Sequence, residues 1–228
     1  MTVHIYGPED DASQIDGFTI VVDVFRAFSN SYRIWQNGPR FYYAVSRIET
    51  AFEMKRRLPD VILIGERDCI KIDGFDYGNS PTEIAGKDFT GKTVVHTTTS
   101  GTQGLLRQPP GNRVAAGSFV NCAALIQHIT QNGIGTVNVY CTASRDAVYG
   151  HEDYVFAEYF RKRLLGGETG FESIRRALLA ENIVNFSDEG FAPYSDFEFC
   201  MQLDRFDCIL ERKAAPFDDA VLLDEIPQ

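Results

Sequence analysis

Basic side chains are in deficit: 22 Lys and Arg against 32 Asp and Glu leave the 228-residue chain with a formal net charge of −10. A broad basic footprint is therefore missing, which speaks against nucleic acid or an anionic membrane as a partner. A small anionic ligand stays compatible, because a local Arg or Lys cluster acts over only about a Debye length, roughly 8 Å at physiological salt. Long apolar runs are also absent. None approaches the ~18–20 residues of a membrane span, and the opening MTVHIYGPEDD lacks the basic and apolar regions of a signal peptide, so a cytoplasmic protein is expected. Cysteine is sparse and odd in number. Cys69, Cys122, Cys141, Cys200 and Cys208 are scattered, with neither metal-site pairing nor a disulfide framework, and reduced thiols are expected.

Several catalytic signatures are missing as well. No Gly-x-Gly-x-x-Gly and no P-loop with Gly-Lys-Ser/Thr occurs, so nucleotide binding lacks support. Haloacid-dehalogenase-type phosphatases need a second Asp two residues after the first, and after Asp23 that position is Phe25. In Cys-dependent phosphatases five residues separate nucleophile and Arg, whereas only three separate Cys141 from Arg145. His4, His96, His128 and His151 are too dispersed to define a triad.

What is present is an ordinary globular composition, 44% hydrophobic and 24% charged, in a chain long enough for a sizeable core. Apolar runs expected as strands lie at Val3–Tyr6, in FTIVVDVF, RFYYAV, VILIG, KTVVHT and RVAAG, and in TVNVYC, the last clear central strand. Helical segments are expected between them at 27–36, 49–58 and 121–131, then at 151–165, 171–181 and near 197–203. DCILER reads as an edge strand. No repeat, low-complexity tract or linker interrupts the alternation, which predicts a single domain over 1–228. Its fold class is α/β, a three-layer α/β/α arrangement around a mostly parallel or mixed central sheet.

At five strand ends the sequence turns abruptly polar or Gly-rich: Asp23–Arg26, Gly65–Arg67, Thr97–Thr102, Gly117–Asn121 and Cys141–Arg145. Open α/β sheets bind ligands just outside the carboxyl ends of their strands, so these segments are expected to converge on one site. The longest is GERDCIKIDGFDYGNSP, Gly65 to Pro81, which exceeds the usual connection of about 4–6 residues. It ends in Ser80-Pro81-Thr82-Glu83, a capping-box pattern that predicts a helix start.

Thr97-Thr98-Thr99-Ser100-Gly101-Thr102 can aim amides and hydroxyls at an anion, and Ser118 and Asn121 repeat the device; simple helix caps explain the same residues taken singly. Asp23, near the end of a buried strand, needs relief from a divalent cation, from Arg26 or from a helix N-terminus. Glu66, Asp76, Glu152, Asp153 and Asp23 form a pool of hard oxygen donors suited to Mg²⁺ rather than Zn²⁺. Acids in the first turn of a helix, as Glu152 and Asp153 would be, are also favoured by the helix dipole alone.

Taken together, VVDVFRAFS, GERDCIKIDGFDYGNSP, TTTSGT, GSFVN and the Glu152-Asp153 pair resemble, in order and spacing, the 2-phosphosulfolactate phosphatase family over roughly residues 3 to 210. The resemblance implies a Mg²⁺-dependent phosphoric monoester hydrolase that converts 2-phosphosulfolactate, or a related phosphorylated 2-hydroxy acid, to sulfolactate and phosphate in coenzyme M biosynthesis. Asp23, Arg26 and Arg67 would be catalytic. Lys71, Asn79, Ser80, Thr98, Thr99, Ser100, Gly101, Thr102, Ser118 and Asn121 would bind the substrate. Asp23, Glu66, Asp76, Glu152 and Asp153 would supply metal ligands. Water attack and an Asp23 phosphoenzyme remain equally open. Two departures stand out: Ser100 replaces the family's common Asn, and Cys141-Thr142-Ala143 its usual Cys-Ala-Gly. The alternative is a catalytically silent small-anion-binding or sensor domain on the same fold. A homodimer is expected only because two-fold oligomers are common.

Overall fold

The computed structural model describes residues 1–146, 150–181, 184–187 and 192–226. In chain order the strands are β1 (Thr2–Tyr6), β2 (Phe18–Val22), β3 (Phe41–Val45), β4 (Val61–Arg67), β5 (Ile70–Lys71), β6 (Thr93–Thr97), β7 (Val114–Gly117), β8 (Thr136–Cys141), β9 (Leu210–Ala214) and β10 (Ala220–Glu225). The helices are α1 (Ala27–Gln36), α2 (Ile48–Arg57), α3 (Gly101–Arg107), α4 (Cys122–Gln131), α5 (His151–Leu164), α6 (Phe171–Glu181) and α7 (Tyr194–Cys200). The fold is α/β, with a three-layer α/β/α arrangement around a mixed, mostly parallel sheet. Among the described residues no helix is long and apolar enough to cross a membrane.

The strands were legible because they are apolar on both faces. All five residues of β2 are buried, with Phe18, Ile20 and Val22 in one core and Val21 in another. Consecutive strand side chains point to opposite faces, so such a run needs cover on both sides. Helices α4 and α5 supply it on one face of this half of the sheet through Leu125, Ile129, Phe156 and Phe160. On the other face Phe28 and Tyr32 of α1 and Leu105 of α3 form a core with Val21, Tyr42, Val94 and Tyr140. A third core joins α2 to β3, β4 and β6 through Ala51, Met54, Tyr43, Leu63 and Val95.

The strand order is β1-β8-β2-β7-β9-β10-β3-β6-β4-β5. β1, β8, β2 and β7 are mutually parallel, as are β3, β6 and β4. Between them lies the antiparallel β9–β10 pair, antiparallel in turn to β7 and to β3, so the two parallel groups run in opposite senses. DCILER is therefore not an edge: its β9 portion has neighbours on both sides. β10 is the pairing partner that the sequence reading did not include.

The carboxyl ends of β2 and β6 nevertheless meet. Over five strand steps a twist of about 20–25° per step accumulates to more than a right angle. α3 then bridges the groups: a Cβ at Gly104 would lie 2.8 Å from both Val21 Cγ1 of β2 and Thr142 Cγ2 just after β8. No larger residue at position 104 could hold α3 this close.

The expected helix at Ser80-Pro81-Thr82-Glu83 is a succession of turns instead. Only half of the capping box forms, with Glu83 N donating to Ser80 Oγ at 3.2 Å while Glu83 Oε2 accepts from Gly78 N at 2.7 Å. The backbone bonds that follow are of the tighter i to i+3 kind, Ala85 N to Thr82 O and Lys87 N to Ile84 O, and Gly86 at φ +71° ends the run.

Candidate active site

A cavity of about 440 Å³ opens where these strand ends meet. Its wall includes Asp23, Phe25 and Arg26 after β2, Glu66 and Asp68 at the end of β4, Thr99 and Ser100 after β6, and Thr142 and Ala143 after β8. Glu152 and Asp153 enter from the first turn of α5, and Asn79 from the end of the long β4 loop. Four of the five polar strand ends thus converge. The fifth does not border the cavity: Ser118 and Asn121 are fully buried, with Asn121 Oδ1 accepting from Ser118 N at 3.0 Å and Asn121 Nδ2 donating to Ala116 O at 3.2 Å.

The Asp23 carboxylate lies at the start of α1, where Oδ1 accepts from Ala27 N at 2.9 Å. Burial, opposed by that amide, and the Glu66 charge push its pKa up to about 6. Glu152 is 3% exposed, and its Oε2 has no hydrogen-bond partner among the described residues. Burial and the Asp23 charge push its pKa up to about 8. Asp153 is held on both oxygens: Oδ1 accepts from Val24 N at 2.8 Å, and Oδ2 from Thr142 N and Oγ1 at 3.2 and 3.1 Å. Burial and the charges of Asp23 and Glu152 lift it well above the carboxylate range. The departure at Thr142 thus adds a hydroxyl donor to Asp153.

Glu66 ties the β4 end to the Thr-rich loop. Its Oε1 accepts from Thr99 N at 2.7 Å, and its Oε2 from Cys69 N at 2.7 Å and Thr99 Oγ1 at 3.0 Å. Thr98 and Thr102 satisfy each other across the first turn of α3, Thr98 N donating to Thr102 Oγ1 at 2.9 Å and Thr102 N to Thr98 Oγ1 at 3.1 Å. Gly101 packs directly against Asp23.

The basic residues divide. Arg26, 5% exposed, borders the cavity and pairs with Asp196 Oδ2 at 2.8 Å. Arg67 turns toward the strand ends instead, donating to Glu66 O, Ser46 O and Thr97 Oγ1 at 2.7, 2.8 and 2.8 Å. Lys71 is exposed on β5 and does not border the cavity. Asp76 also lies outside it, accepting from Leu63 N at 2.8 Å and Lys55 Nζ at 2.9 Å.

One organising residue had no sequence signal. Asp196, fully buried in the first turn of α7, accepts from Arg26 Nη1, from Ser80 Oγ at 2.8 Å and from Thr82 N at 3.0 Å. It joins the β2 loop to the end of the β4 loop. Ser80 is accordingly occupied in this clamp.

The donor set suits a hard cation. Its acids offer oxygen only, one buried carboxylate oxygen lacks a partner, and the cluster's charges raise one another's pKa values, as they would where a positive charge is wanted. Among the described residues no three His, Cys, Asp or Glu side chains are grouped so as to hold a metal unaided. Mg²⁺ usually takes one or two carboxylates and completes its shell with water and substrate phosphate. Glu152 and Asp23 are the candidates, since both carboxylate oxygens of Asp153 and Glu66 are engaged.

Comparison with known proteins bears on the chemistry. A family model described as 2-phosphosulpholactate phosphatase matches residues 5–215. A Thermoplasma acidophilum protein named "Probable 2-phosphosulfolactate phosphatase" is 32% identical over 195 residues, covering 84% of this chain and 84% of the relative. One of the same name from Caldicellulosiruptor saccharolyticus is 30% identical over 218 residues, 86% of this chain and 89% of the relative. A third, from Bacillus subtilis, is 29% identical over 178 residues, 77% of each chain.

Proposed function

The chain belongs to the 2-phosphosulfolactate phosphatase family, and from that premise we propose that it is a Mg²⁺-dependent phosphatase of 2-phosphosulfolactate or a closely related phosphorylated 2-hydroxy acid. The observation that carries this reading is the meeting of Asp23, Glu152, Arg26 and Asn79 on one 440 Å³ cavity at the strand ends. A small phosphorylated acid falls within that size class.

Arg26 supplies the cationic donor for a phosphate oxygen. Its pairing with Asp196 sets the direction of the guanidinium before substrate arrives, so no reorganisation is needed as charge develops. Asn79 and Ser100 add uncharged polar groups, and Phe25 and Val184 form an apolar part of the wall. Asp23 and Glu152 would hold Mg²⁺, which when bound neutralises phosphate charge and polarises the phosphoryl oxygens. Asp153 and Glu66 act one step away: each binds two segments together, Val24 with Thr142 and Cys69 with Thr99, and keeps the wall in shape. Burial, with a smaller contribution from the neighbouring acids, is why Asp23 and Glu152 have raised pKa values.

The test is phosphate release from 2-phosphosulfolactate, 2-phospholactate and an unrelated monoester, each with Mg²⁺ and with a chelator. Turnover of the first two that a chelator abolishes is expected. Turnover of none of them contradicts the proposal.

A further inference from the structure

Behind Asn79 runs a chain of buried polar side chains that the proposed chemistry does not use. Asn79, 5% exposed, borders the cavity. Its Oδ1 accepts from Asn30 Nδ2 at 3.0 Å and lies 3.2 Å from His96 Nε2. His96 Nδ1 lies 2.8 Å from the Tyr42 hydroxyl, and that hydroxyl 2.7 Å from Ser31 Oγ. Asn30, Ser31, Tyr42 and His96 are all fully buried.

Counting protons gives this chain a direction. An amide oxygen only accepts, so the contact with Asn79 Oδ1 needs the His96 proton on Nε2. Burial and the nearby Arg67 charge push the His96 pKa down to about 3, so the ring is neutral and carries only one N–H. Nδ1 is then bare and accepts from Tyr42. The Tyr42 hydroxyl also lies 2.7 Å from Ser31 Oγ, which donates to Ala27 O at 2.9 Å. From Tyr42 through His96 the donors run toward the cavity, and Asn79 is the last.

With two donors on its oxygen, the Asn79 amide is turned so that Nδ2 is its free end. The opposite arrangement, with both Asn30 and Asn79 turned over, would put a carbonyl oxygen toward a cavity that already holds Asp23, Glu66, Glu152 and Asp153. It would also require the His96 proton on Nδ1. Electrostatics favours the N–H end, because an acceptor facing a cluster of carboxylates is repelled.

We propose that His96, held by Tyr42 in its Nε2–H form, is the positioning residue that turns the Asn79 amide so that its N–H group donates to a phosphate oxygen of the substrate. The identity of that anion rests on the phosphatase reading; the orientation of the amide does not.

Two measurements on the intact chain test this. Nitrogen-15 NMR of the wild type reads the tautomer of His96 directly, and the Nε2–H form is expected throughout the neutral range. The Nδ1–H form overturns the proposal. Calorimetry with inorganic phosphate in the presence of Mg²⁺ reads the donor. Asn79→Leu, which removes the N–H and adds no charge, is expected to weaken phosphate binding about 10- to 100-fold. His96→Leu is expected to weaken it comparably, whereas His96→Gln, whose amide can still donate to Asn79, restores most of the affinity. Wild-type affinity in folded Asn79→Leu, or equal losses in His96→Leu and His96→Gln, overturns the positioning role. A wild type that binds phosphate through Asn79 yet hydrolyses no monoester contradicts the phosphatase reading alone.

Discussion

The carboxylate of Asp23 rests against the backbone of Gly101: a Cβ at position 101 would lie 2.7 Å from Asp23 Oδ2 and 2.6 Å from Ala27 Cβ. The two residues belong to different parallel groups of the sheet, one following β2 and the other following β6. Their contact joins the two groups at Asp23.

Gly101→Ala is therefore expected to displace Asp23. Overpacking of this kind typically costs about 1–3 kcal/mol, which thermal or denaturant unfolding would register. The loss of phosphate release should exceed that seen for Gly111→Ala, where a Cβ would meet nothing within 4 Å. Equal activity in the two variants would show that Asp23 does not need this packing.

Removing the clamp at α7 should have a larger effect on stability. Asp196 and Arg26 have side chains only 0% and 4% exposed, and breaking a buried pair by deleting one partner costs about 3–5 kcal/mol. Asp196→Ala is expected to lose stability on that order in urea titrations. Asp196→Asn, which keeps acceptance from Ser80 and Thr82 on one oxygen, should lose less. In both, kcat/KM should fall through the misplaced Arg26. A clamp that matters only for folding would leave the kcat/KM of Asp196→Asn at the wild-type value.

Stability should also depend on pH through the acids of the site. Asp23 and Glu152 have folded-state pKa values raised to about 6 and about 8, from ordinary values of 3.8 and 4.5. For a raised value the stabilising contribution is complete below the unfolded pKa and is lost as pH rises through the folded one. The melting temperature in chelator should thus fall between about pH 4 and pH 8, and Glu152→Gln should make the fall shallower. Adding Mg²⁺ near pH 8 should recover the loss in the wild type, because a cation favours the ionised acids. An unchanged slope in Glu152→Gln would contradict the burial of an unpaired Glu152 carboxylate.

How much of this was legible in the sequence depends on how local the causes are. Strands such as TVNVYC and helices such as α6 are dictated by nearby residue patterns and match their expected bounds. The β9–β10 pair is not, because its place between β7 and β3 depends on partners roughly a hundred or more residues away. The same holds within the site. Asp23, Glu66, Glu152, Arg26 and Asn79 stood out by their positions at strand ends and in a long polar loop. Arg67 and Lys71 stood out equally, but only the fold shows that Arg67 turns to Ser46 O and Thr97 Oγ1. Asp196 carries no local signal, because its contacts with Arg26 and Ser80 lie 170 and 116 residues away.

The proposed holding of Mg²⁺ by Asp23 and Glu152 is tested most directly by phosphate release from 2-phosphosulfolactate as a function of Mg²⁺ concentration in wild type, Asp23→Asn and Glu152→Gln. Expected are saturable activation of the wild type, loss of activity on the order of 100-fold or more in Asp23→Asn, and a shift of the Mg²⁺ response to higher concentration in Glu152→Gln. Turnover that ignores Mg²⁺, or that survives undiminished in Asp23→Asn, would contradict it.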